Sequence, residues 1–211
     1  MITEQQTVGI VLCGGKSQRM GREKYRLMFG NETLLQRICR IVQPEVSQIL
    51  VVASLSQEMP DFEISVEFLR DEIPEFGPLA GITQALTFLE NAPSSAVAAF
   101  VTSCDVPLLK PTVIRLLRNQ LTDDFDAVVV RDIQYAYPLC ALYRTPAATT
   151  ARRLLASGER RAAALADNLR TCWVSTEQIR TVDPDLTSLW NCNSPDDLTR
   201  ALDRAKVDIT L

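Results

Sequence analysis

The sequence predicts one α/β domain with a doubly wound, mostly parallel sheet, and three observations carry this prediction. Short apolar runs alternate with amphipathic helical patterns through the first half of the chain. The run over residues 96–103 is apolar almost throughout, as expected of a strand that helices cover on both faces. The 211 residues contain no repeat, low-complexity tract or linker, so we expect residues 1–211 to form a single domain.

The predicted elements place several loops at the carboxyl ends of strands, where sheets of this kind bind their ligands. In the first half we expect strands over residues 8–12, 48–53, 65–69 and 96–103, with helices that begin behind Thr33, at Pro78 and at Pro111. In the second half we expect strands over residues 127–130, 138–143 and 172–174, with helices over 145–155, over 160–168 and behind Ser194.

Composition and charge exclude several classes of function. The net charge of −4 provides no basic surplus for a nucleic-acid partner. The chain shows no apolar run of membrane-spanning length and no signal-peptide segment, so we expect a cytoplasmic protein without a membrane partner. The absence of histidine excludes an imidazole base or ligand. Six cysteines stand singly, and we expect them to be small buried residues in a reducing compartment.

The stretch over residues 8–30 organises the chain. Its apolar run ends at Leu12, and four of the eight glycines follow between Gly14 and Gly30. Five cations also lie within eleven residues, namely Lys16, Arg19, Arg22, Lys24 and Arg26. Glycine lets backbone N–H groups turn toward an anion, and the cations neutralise its charge. We interpret the stretch as a phosphate-binding loop; the alternative is a glycine-rich turn with a solvated basic rim.

The spacing of the glycines narrows the kind of loop. Ile10 stands where a Walker A loop requires glycine, and the glycines do not fit the G-x-G-x-x-G fingerprint of dinucleotide-binding folds. They fit L-x-G-G-x-S-x-R-M-G-x-x-K, which fixes Leu12, Gly14, Gly15, Ser17, Arg19, Met20, Gly21 and Lys24. This pattern resembles nucleotidyltransferases that activate a small phosphorylated compound with a nucleoside triphosphate.

Two aspartates, Asp71 and Asp105, follow predicted strands at the expected ligand edge. A carboxylate beside a triphosphate adds unfavourable negative charge unless a cation lies between them. We therefore expect Asp105 to hold Mg²⁺ and Asp71 to lie in the same site. The alternative for Asp105 is a turn residue before Pro107, and the alternative for Asp71 is an ordinary loop residue.

Three further features have both a functional and a structural interpretation. Gly81 interrupts a helical pattern at a cost of about 1 kcal/mol, which indicates close approach of a ligand or simple helix–sheet packing. Asn191 and Asn193 lie on one face of an extended segment, where they orient a metal or phosphate or hydrogen-bond a turn. Arg160 and Arg161 have two interpretations, a clamp on an anionic substrate and the start of a solvated helix, and we slightly favour the helix start.

Further motifs extend the resemblance: G-P-L-A-G-I, C-D-V-P, P-L-x-A-L-Y, G-E-R-R and N-x-N-S-P-D-D-L. Together with the loop pattern they resemble the molybdenum cofactor guanylyltransferase family over residues 8–198. The resemblance implies a Rossmann-like fold of the nucleotide-diphospho-sugar transferase type. The nucleotide-binding residues it implies are Leu12, Cys13, Gly14, Gly15, Lys24, Asp71 and Asp105, with Mg²⁺ on Asp105. The candidate substrate-binding residues are Gly81, Pro138, Arg160, Arg161, Asn191 and Asn193.

The activity implied by the resemblance is transfer of GMP from GTP to the terminal phosphate of molybdopterin or its molybdenum-loaded form. Arg19, Lys24 and Asp105 would be the catalytic residues, acting by alignment and charge neutralisation. Molybdoenzymes or cofactor-insertion proteins would be further partners. The alternatives are an enzyme that uses CTP or another small phosphorylated acceptor, and a non-catalytic nucleotide- or molybdopterin-binding module.

Two positions depart from the family pattern. Cys13 replaces the usual alanine, which is a small change. Val52 stands where family members can carry asparagine, and Ser54, two residues further on the same face of a strand, is a candidate replacement.

Overall fold

The computed structural model describes residues 2–13, 23–71, 77–92 and 96–205, with the backbone alone at Asp71. The strands of these residues are β1 Thr7–Leu12, β2 Met28–Phe29, β3 Glu32–Thr33, β4 Gln48–Ser54, β5 Glu67–Asp71, β6 Ala98–Ser103, β7 Ala127–Arg131, β8 Ala136–Arg144 and β9 Thr171–Ser175. The α-helices are α1 Leu34–Val42, α2 Gly77–Asn91, α3 Pro111–Gln120, α4 Ala147–Ala156, α5 Ala162–Asp167, α6 Thr176–Arg180 and α7 Pro195–Ala205.

Seven of these strands form one mostly parallel sheet in the order β5-β4-β1-β6-β8-β7-β9. β1 pairs in parallel with β4 and β6, and β4 and β7 pair in parallel with β5 and β9. β8 runs antiparallel between β6 and β7. The predicted fold class is confirmed, and β1 lies in the interior of the sheet between β4 and β6, where all six of its residues are buried.

Helices cover both faces of the sheet and divide its core into two layers. The layer on one face includes Leu35 of α1 and Val113 of α3, while the other includes Leu79 of α2, Ala148 of α4 and Leu165 of α5. α1 begins at the predicted capping box, since the Thr33 side chain accepts the Gln36 amide. No helix in the described part of the chain is long and apolar enough to cross a membrane.

Some boundaries differ from the sequence-based predictions. The predicted helix over residues 160–168 begins only at Ala162, because Glu159 Oε1 accepts the Arg160 and Arg161 amides at 2.8 and 2.9 Å and holds both residues in a turn. The hairpin of β2 and β3 was not predicted, because strands of two residues are too short to show the alternation of apolar and polar residues that predicts a strand. Helix α6 was also missed, although the spacing of Ser175 and Gln178 is that of a capping box, which indicates the start of a helix.

A third, smaller hydrophobic cluster packs α7 against β2 and the start of α1. Phe29 and Leu34 pack there against Cys192, Ala201 and Leu202, and all five are buried. Because Cys192 belongs to this cluster, the segment before α7 is held near the carboxyl edge of the sheet.

Candidate active site

The register of the sheet brings the ends of β1, β4 and β6 together. Leu12 pairs with Val52 on one side and with Ser103 on the other. Beyond the strands, the Cys13 amide donates to the Val52 carbonyl at 2.8 Å, and the Cys104 amide donates to the Leu12 carbonyl at 3.1 Å. Leu12, Cys13 and Cys104 therefore lie beside one another at the carboxyl edge of the sheet.

The ammonium group of Lys24 joins three distant parts of the chain. Lys24 begins a single 3-10 turn, and its Nζ donates to Asp105 Oδ2 at 2.7 Å and to Asn193 Oδ1 at 2.6 Å. The ion-paired side chains of Lys24 and Asp105 are only 22% and 14% exposed, so water screens this pair less than a surface pair. Ser103 Oγ donates to the other Asp105 oxygen at 2.5 Å and fixes the carboxylate. Three of the sequence-predicted site residues thus lie in contact.

Asn193 reaches Lys24 because its segment is attached to the loop that carries Asp105. The Cys192 amide donates to the Asp105 carbonyl at 2.8 Å. Cys192 is buried, whereas Asn191 and Asn193 on either side are exposed. This alternation agrees with the expectation that the two amides share one face.

A buried carboxylate, Asp183, anchors the same segment. Lys110 Nζ lies 2.7 Å from Asp183 Oδ1, and the Ser188 amide donates to Oδ2 at 2.8 Å. The Ser188 hydroxyl in turn accepts the Lys110 amide at 3.0 Å. Burial by itself would raise the pKa of Asp183, but hydrogen bonds from Lys110 and Ser188 outweigh it and hold the pKa below its ordinary value. Sequence analysis missed Asp183, because an aspartate beside a proline resembles an ordinary turn residue.

Gln57, which sequence analysis also missed, holds the residue before the predicted phosphate loop. Its side chain is buried; Nε2 donates to the Cys13 carbonyl at 3.2 Å, and Oε1 accepts the Ser54 amide at 2.9 Å. Arg70 donates to the Ser54 and Gln57 carbonyls at 3.1 and 2.7 Å. The Ser54 hydroxyl lies 3.2 Å from that of Ser56, so this candidate replacement for the family asparagine has a local partner.

The cysteines near the site are packing residues. Cys13 and Cys192 are buried, and burial is the largest effect that raises the pKa of Cys13 well above its ordinary value and that of Cys192 to about 12. Both thiols are therefore protonated at neutral pH and are poor nucleophiles. Cys172 in β9 is only partly buried and differs from the expectation of uniformly buried cysteines.

Gly81 lies in the interface between α2 and the sheet. A Cβ atom at this position would lie 3.1 Å from Leu12 Cδ2 and 3.6 Å from Val52 Cγ1. Helix–sheet packing therefore accounts for this glycine, and we interpret it as a packing residue rather than a substrate contact.

The two arginines of the G-E-R-R motif are held by their own turn. Arg161 forms an ion pair with Glu159 at 2.7 Å, and the Arg160 guanidinium donates to the Glu159 and Leu155 carbonyls at 3.0 and 3.4 Å. Hydrogen bonds from the Arg161 side chain and the two amides lower the pKa of Glu159 to about 2. The backbone of this turn also touches the start of α2, where a Cβ on Gly77 would lie 3.0 Å from the Arg160 carbonyl oxygen.

The remaining candidates are placed only in part. Pro138 lies in β8 beside a register shift, where a residue without an amide hydrogen is tolerated, and its carbonyl accepts the Tyr143 hydroxyl at 3.1 Å. The backbone of Asp71 pairs with Ser54 at the carboxyl ends of β5 and β4. The candidates Gly14, Gly15 and Arg19 lie outside the described residues.

Comparison with known families identifies the protein family to which the chain belongs. Residues 9–172, from β1 into β9, match the family model described as the MobA-like NTP transferase domain. The chain belongs to this family. As a MobA-like NTP transferase it is a nucleotidyltransferase, and the carboxyl ends of β1 and β6 are its candidate nucleotide edge.

Relatives support the same family assignment over nearly the whole chain. The chain is 36% identical over 208 residues to a probable molybdenum cofactor guanylyltransferase of Mycobacterium avium, covering 98% of this chain and 100% of that one. It is 30% identical to the molybdenum cofactor guanylyltransferase of Desulfosudis oleivorans, covering 92% and 93% of the two chains. Among solved structures, molybdopterin-guanine dinucleotide biosynthesis protein A of Archaeoglobus fulgidus matches with a TM-score of 0.77 and 27% identity, covering 95% and 98%.

The donor set of this MobA-like domain suits Mg²⁺ held jointly with a substrate. Within the described residues, no group of three or more histidine, cysteine, aspartate or glutamate side chains is arranged to hold a metal ion. Mg²⁺ is usually bound through one or two carboxylates together with substrate phosphates and water. Asp105 follows β6 at the carboxyl edge of the sheet, and its single carboxylate is enough for that mode of binding.

Proposed function

We propose that this protein transfers GMP from GTP to the terminal phosphate of molybdopterin or of its molybdenum-loaded form and releases pyrophosphate. The observation that carries the proposal is the contact of Lys24 with both Asp105 and Asn193. These residues come from three separate motifs that resemble the guanylyltransferases, and the folded chain brings them to one point. The names of the relatives support the choice of nucleotide and acceptor.

The reaction requires no general base. An oxygen of the acceptor phosphate, which is already anionic, forms a bond to the α-phosphorus of GTP, while the bond from that phosphorus to the bridging oxygen of the β-phosphate breaks. The electron pair of the broken bond leaves with pyrophosphate. This chemistry suits a chain with no histidine, because catalysis then consists of alignment and neutralisation of charge.

In this proposal Lys24 and a Mg²⁺ ion held by Asp105 neutralise the negative charge of the phosphates. Asp105 would hold Mg²⁺ together with phosphate oxygens and water, and the ion would neutralise charge that develops on the triphosphate. Lys24 lies where its ammonium group can exchange a carboxylate partner for a phosphate oxygen. Ser103 keeps the Asp105 carboxylate in place during that exchange, through its own 2.5 Å hydrogen bond.

The remaining nucleotide contacts are part of the same proposal. Leu12, Cys13, Gly14 and Gly15 would line the nucleotide site, and Arg19 would add positive charge beside the triphosphate. Asp71 would accept the adjacent N1–H and amino donors of guanine. Asn191 and Asn193 would meet the acceptor phosphate, and Pro138 and the Arg160–Arg161 turn would border the acceptor side.

The cellular setting follows from the substrates. The reaction uses GTP and a small phosphorylated cofactor, so we place it in the cytoplasm, with no nucleic acid or membrane as partner. Its product would pass to molybdoenzymes or to proteins that insert the cofactor.

The deciding experiment measures pyrophosphate release with molybdopterin, Mg²⁺ and each of the four nucleoside triphosphates. We expect GTP to be preferred over CTP by at least ~100-fold, about 2.7 kcal/mol, because cytosine would leave acceptors built for guanine unpaired. Equal use of GTP and CTP, or a preference for CTP, would refute the guanylyltransferase assignment. Binding of GTP and molybdopterin without pyrophosphate release would indicate a non-catalytic module.

A further inference from the structure

Arg37 of α1 is a partly buried cation with three separate partners. Its Nε donates to the Pro107 carbonyl at 2.6 Å, and a terminal nitrogen donates to Glu32 Oε1 at 3.0 Å. The guanidinium carbon lies 4.3 Å from the centre of the Phe29 ring, within the range of a cation–π contact. Only 17% of the side chain is exposed. Because the guanidinium is planar and its donors form a fixed fork, these partners together define its position.

The first partner belongs to the chain that carries Asp105. Residues 104–110 connect β6 to α3, and we call them the Asp105 loop. Val106 and Leu109, on either side of Pro107, are buried in the core, and the Leu109 amide donates to the Val106 carbonyl at 3.1 Å. A hydrogen bond to the Pro107 carbonyl therefore restrains a compact loop, and with it the backbone of Asp105.

The other end of α1 is attached to the turn that carries Lys24. The Leu27 amide donates to the Lys24 carbonyl at 3.0 Å and closes this 3-10 turn, and the Leu27 carbonyl accepts the Leu34 amide at 2.8 Å. Leu34 is the first residue of α1, and Arg37 follows within the next turn of the helix. Helix α1 therefore connects the turn that carries Lys24 to the loop that carries Asp105.

This connection has a use because the direct contact between Lys24 and Asp105 changes in the proposed reaction. The two side chains are now joined at 2.7 Å. When Lys24 exchanges its carboxylate partner for a phosphate oxygen, that bond no longer holds the turn against the loop. The bond from Arg37 to Pro107 uses neither of these side chains, so it persists through the exchange.

We propose that Arg37 is a positioning residue, which keeps the Asp105 loop in a fixed place relative to the turn that carries Lys24 while substrate phosphates occupy the site. The inference rests on the proposed function, in which Lys24 and Asp105 act on the same triphosphate. Arg37 contributes through the backbone at Pro107, and the carboxylate and the ammonium group carry out the charge neutralisation.

Two variants separate the bond to Pro107 from the other contacts of Arg37. In Arg37→Gln, the side-chain amide nitrogen lies as many bonds from Cα as the arginine Nε, so it can donate to the same carbonyl. Arg37→Met has the same length and an apolar side chain that can pack on Phe29, but it has no donor. The matched control is Arg40→Met, because Arg40 binds the same Glu32 carboxylate at 2.6 Å and is 57% exposed.

The first test measures amide hydrogen exchange by NMR in the protein without substrates. The reporters are Leu109 and Cys192, whose amides donate to the Val106 and Asp105 carbonyls, and Ile10 in β1 reports on the whole fold. We expect Arg37→Met to accelerate exchange at both loop reporters at least about tenfold more than at Ile10, because a lost restraint opens the loop locally. Arg37→Gln should restore most of the protection.

Two results of the exchange experiment would overturn the proposal. Acceleration at Leu109 and Cys192 no greater than at Ile10 would show that Arg37 only stabilises the fold. The same local acceleration in Arg40→Met would show that the ion pair with Glu32, rather than the bond to Pro107, controls the loop.

The second test measures pyrophosphate release. Arg37→Met should lower kcat at least about tenfold, because a displacement of well under 1 Å is costly in a reaction that depends on alignment. It should also raise the Mg²⁺ concentration for half-maximal activity, with the KM for molybdopterin little changed. Arg37→Gln should restore most of both losses, and Arg40→Met should resemble the wild type. Equal losses in Arg37→Gln and Arg37→Met would refute a role through Pro107.

The outcomes distinguish this inference from the proposed function. If the wild type releases pyrophosphate but Arg37→Met has the kcat and Mg²⁺ requirement of Arg40→Met, the positioning role is wrong and the activity stands. If hydrogen exchange in the Asp105 loop responds as expected in a protein that releases no pyrophosphate, the restraint by Arg37 stands and the transferase assignment fails.

Discussion

The substitution Asp183→Asn tests whether a buried charge holds the acceptor side of the site in place. Asp183 is fully buried and ionised, and it accepts hydrogen bonds from Lys110 at 2.7 Å and Ser188 at 2.8 Å. Asparagine has nearly the same shape but no charge, and its amide replaces one acceptor oxygen with a donor. The Thr187 hydroxyl, which lies 3.2 Å from Oδ1, can turn to accept from the new amide, but Lys110 and the Ser188 amide can only donate, so one of their two hydrogen bonds must be lost.

The magnitude follows from which bond is lost. The Ser188 amide is the more buried donor, so the remaining carbonyl oxygen should keep it, and the Lys110 bond is broken. Hydrogen bonds to charged groups contribute about 1.5–3 kcal/mol each. The Lys110 side chain is 40% exposed and regains water, so little further penalty is added. For a chain of this length, we expect the melting temperature to fall by about 3–12 °C.

The matched control is Asp185→Asn, the same chemical change two residues away. Asp185 pairs with Arg204 at the surface, where both side chains are about half exposed, and such pairs contribute about 0–1 kcal/mol. Thermal unfolding of the wild type and both variants provides the measurement. If Asp183→Asn destabilises the protein no more than Asp185→Asn, the buried charge does not anchor this segment.

The dependence on pH gives an independent check. The pKa of Asp183 is lower in the folded state, so its contribution is complete above the unfolded value of about 3.9 and is lost as the pH falls through the folded value. The difference in stability between wild type and Asp183→Asn should therefore be constant near neutral pH and shrink below about pH 4. A difference that grows on acidification would contradict the assignment.

Three further predictions concern the charged groups of the site. Lys24→Met should keep the fold at a cost of about 1–3 kcal/mol and lower turnover on the order of 10²–10³-fold, and turnover near the wild-type rate would remove Lys24 from the reaction. Asp105→Asn should raise the Mg²⁺ concentration needed for half-maximal activity, and an unchanged Mg²⁺ titration would place the metal elsewhere. The Glu159 carboxyl should titrate near pH 2 in ¹³C NMR and move toward about 4.3 in Arg161→Ala. A wild-type value near 4 would show that Arg161 does not bind this carboxylate in solution.

The elements with strong local signals were predictable from the sequence. The apolar run of β1 predicted a buried strand, the run of β6 predicted a strand covered on both faces, and the Thr33–Gln36 box predicted where α1 begins. The order of strands and helices then placed Asp105 at the carboxyl edge, because parallel strands that alternate with helices end together. This part of the reasoning needs only periodicity and capping.

The contacts that complete the site were beyond reach of that reasoning. Lys24 and Asn193 are 169 positions apart, and tertiary contacts such as the cluster of Phe29, Cys192 and Leu202 hold α7 near the loop after β6. Gln57 was missed because one amide side chain in a loop has no characteristic spacing. Such contacts depend on tertiary packing, which a single sequence does not display.

The absence of histidine gives these supporting contacts unusual weight. A reaction without a general base depends on how well the attacking and leaving groups are aligned, and a misplacement of about 1 Å can cost about 10²-fold in rate. The alignment is set by residues that touch no substrate in the proposed mechanism. Gln57 holds the Cys13 carbonyl ahead of the nucleotide loop, and Asp183 holds the segment that ends in Asn193. Loss of either should therefore damage turnover more than its distance from the phosphates suggests.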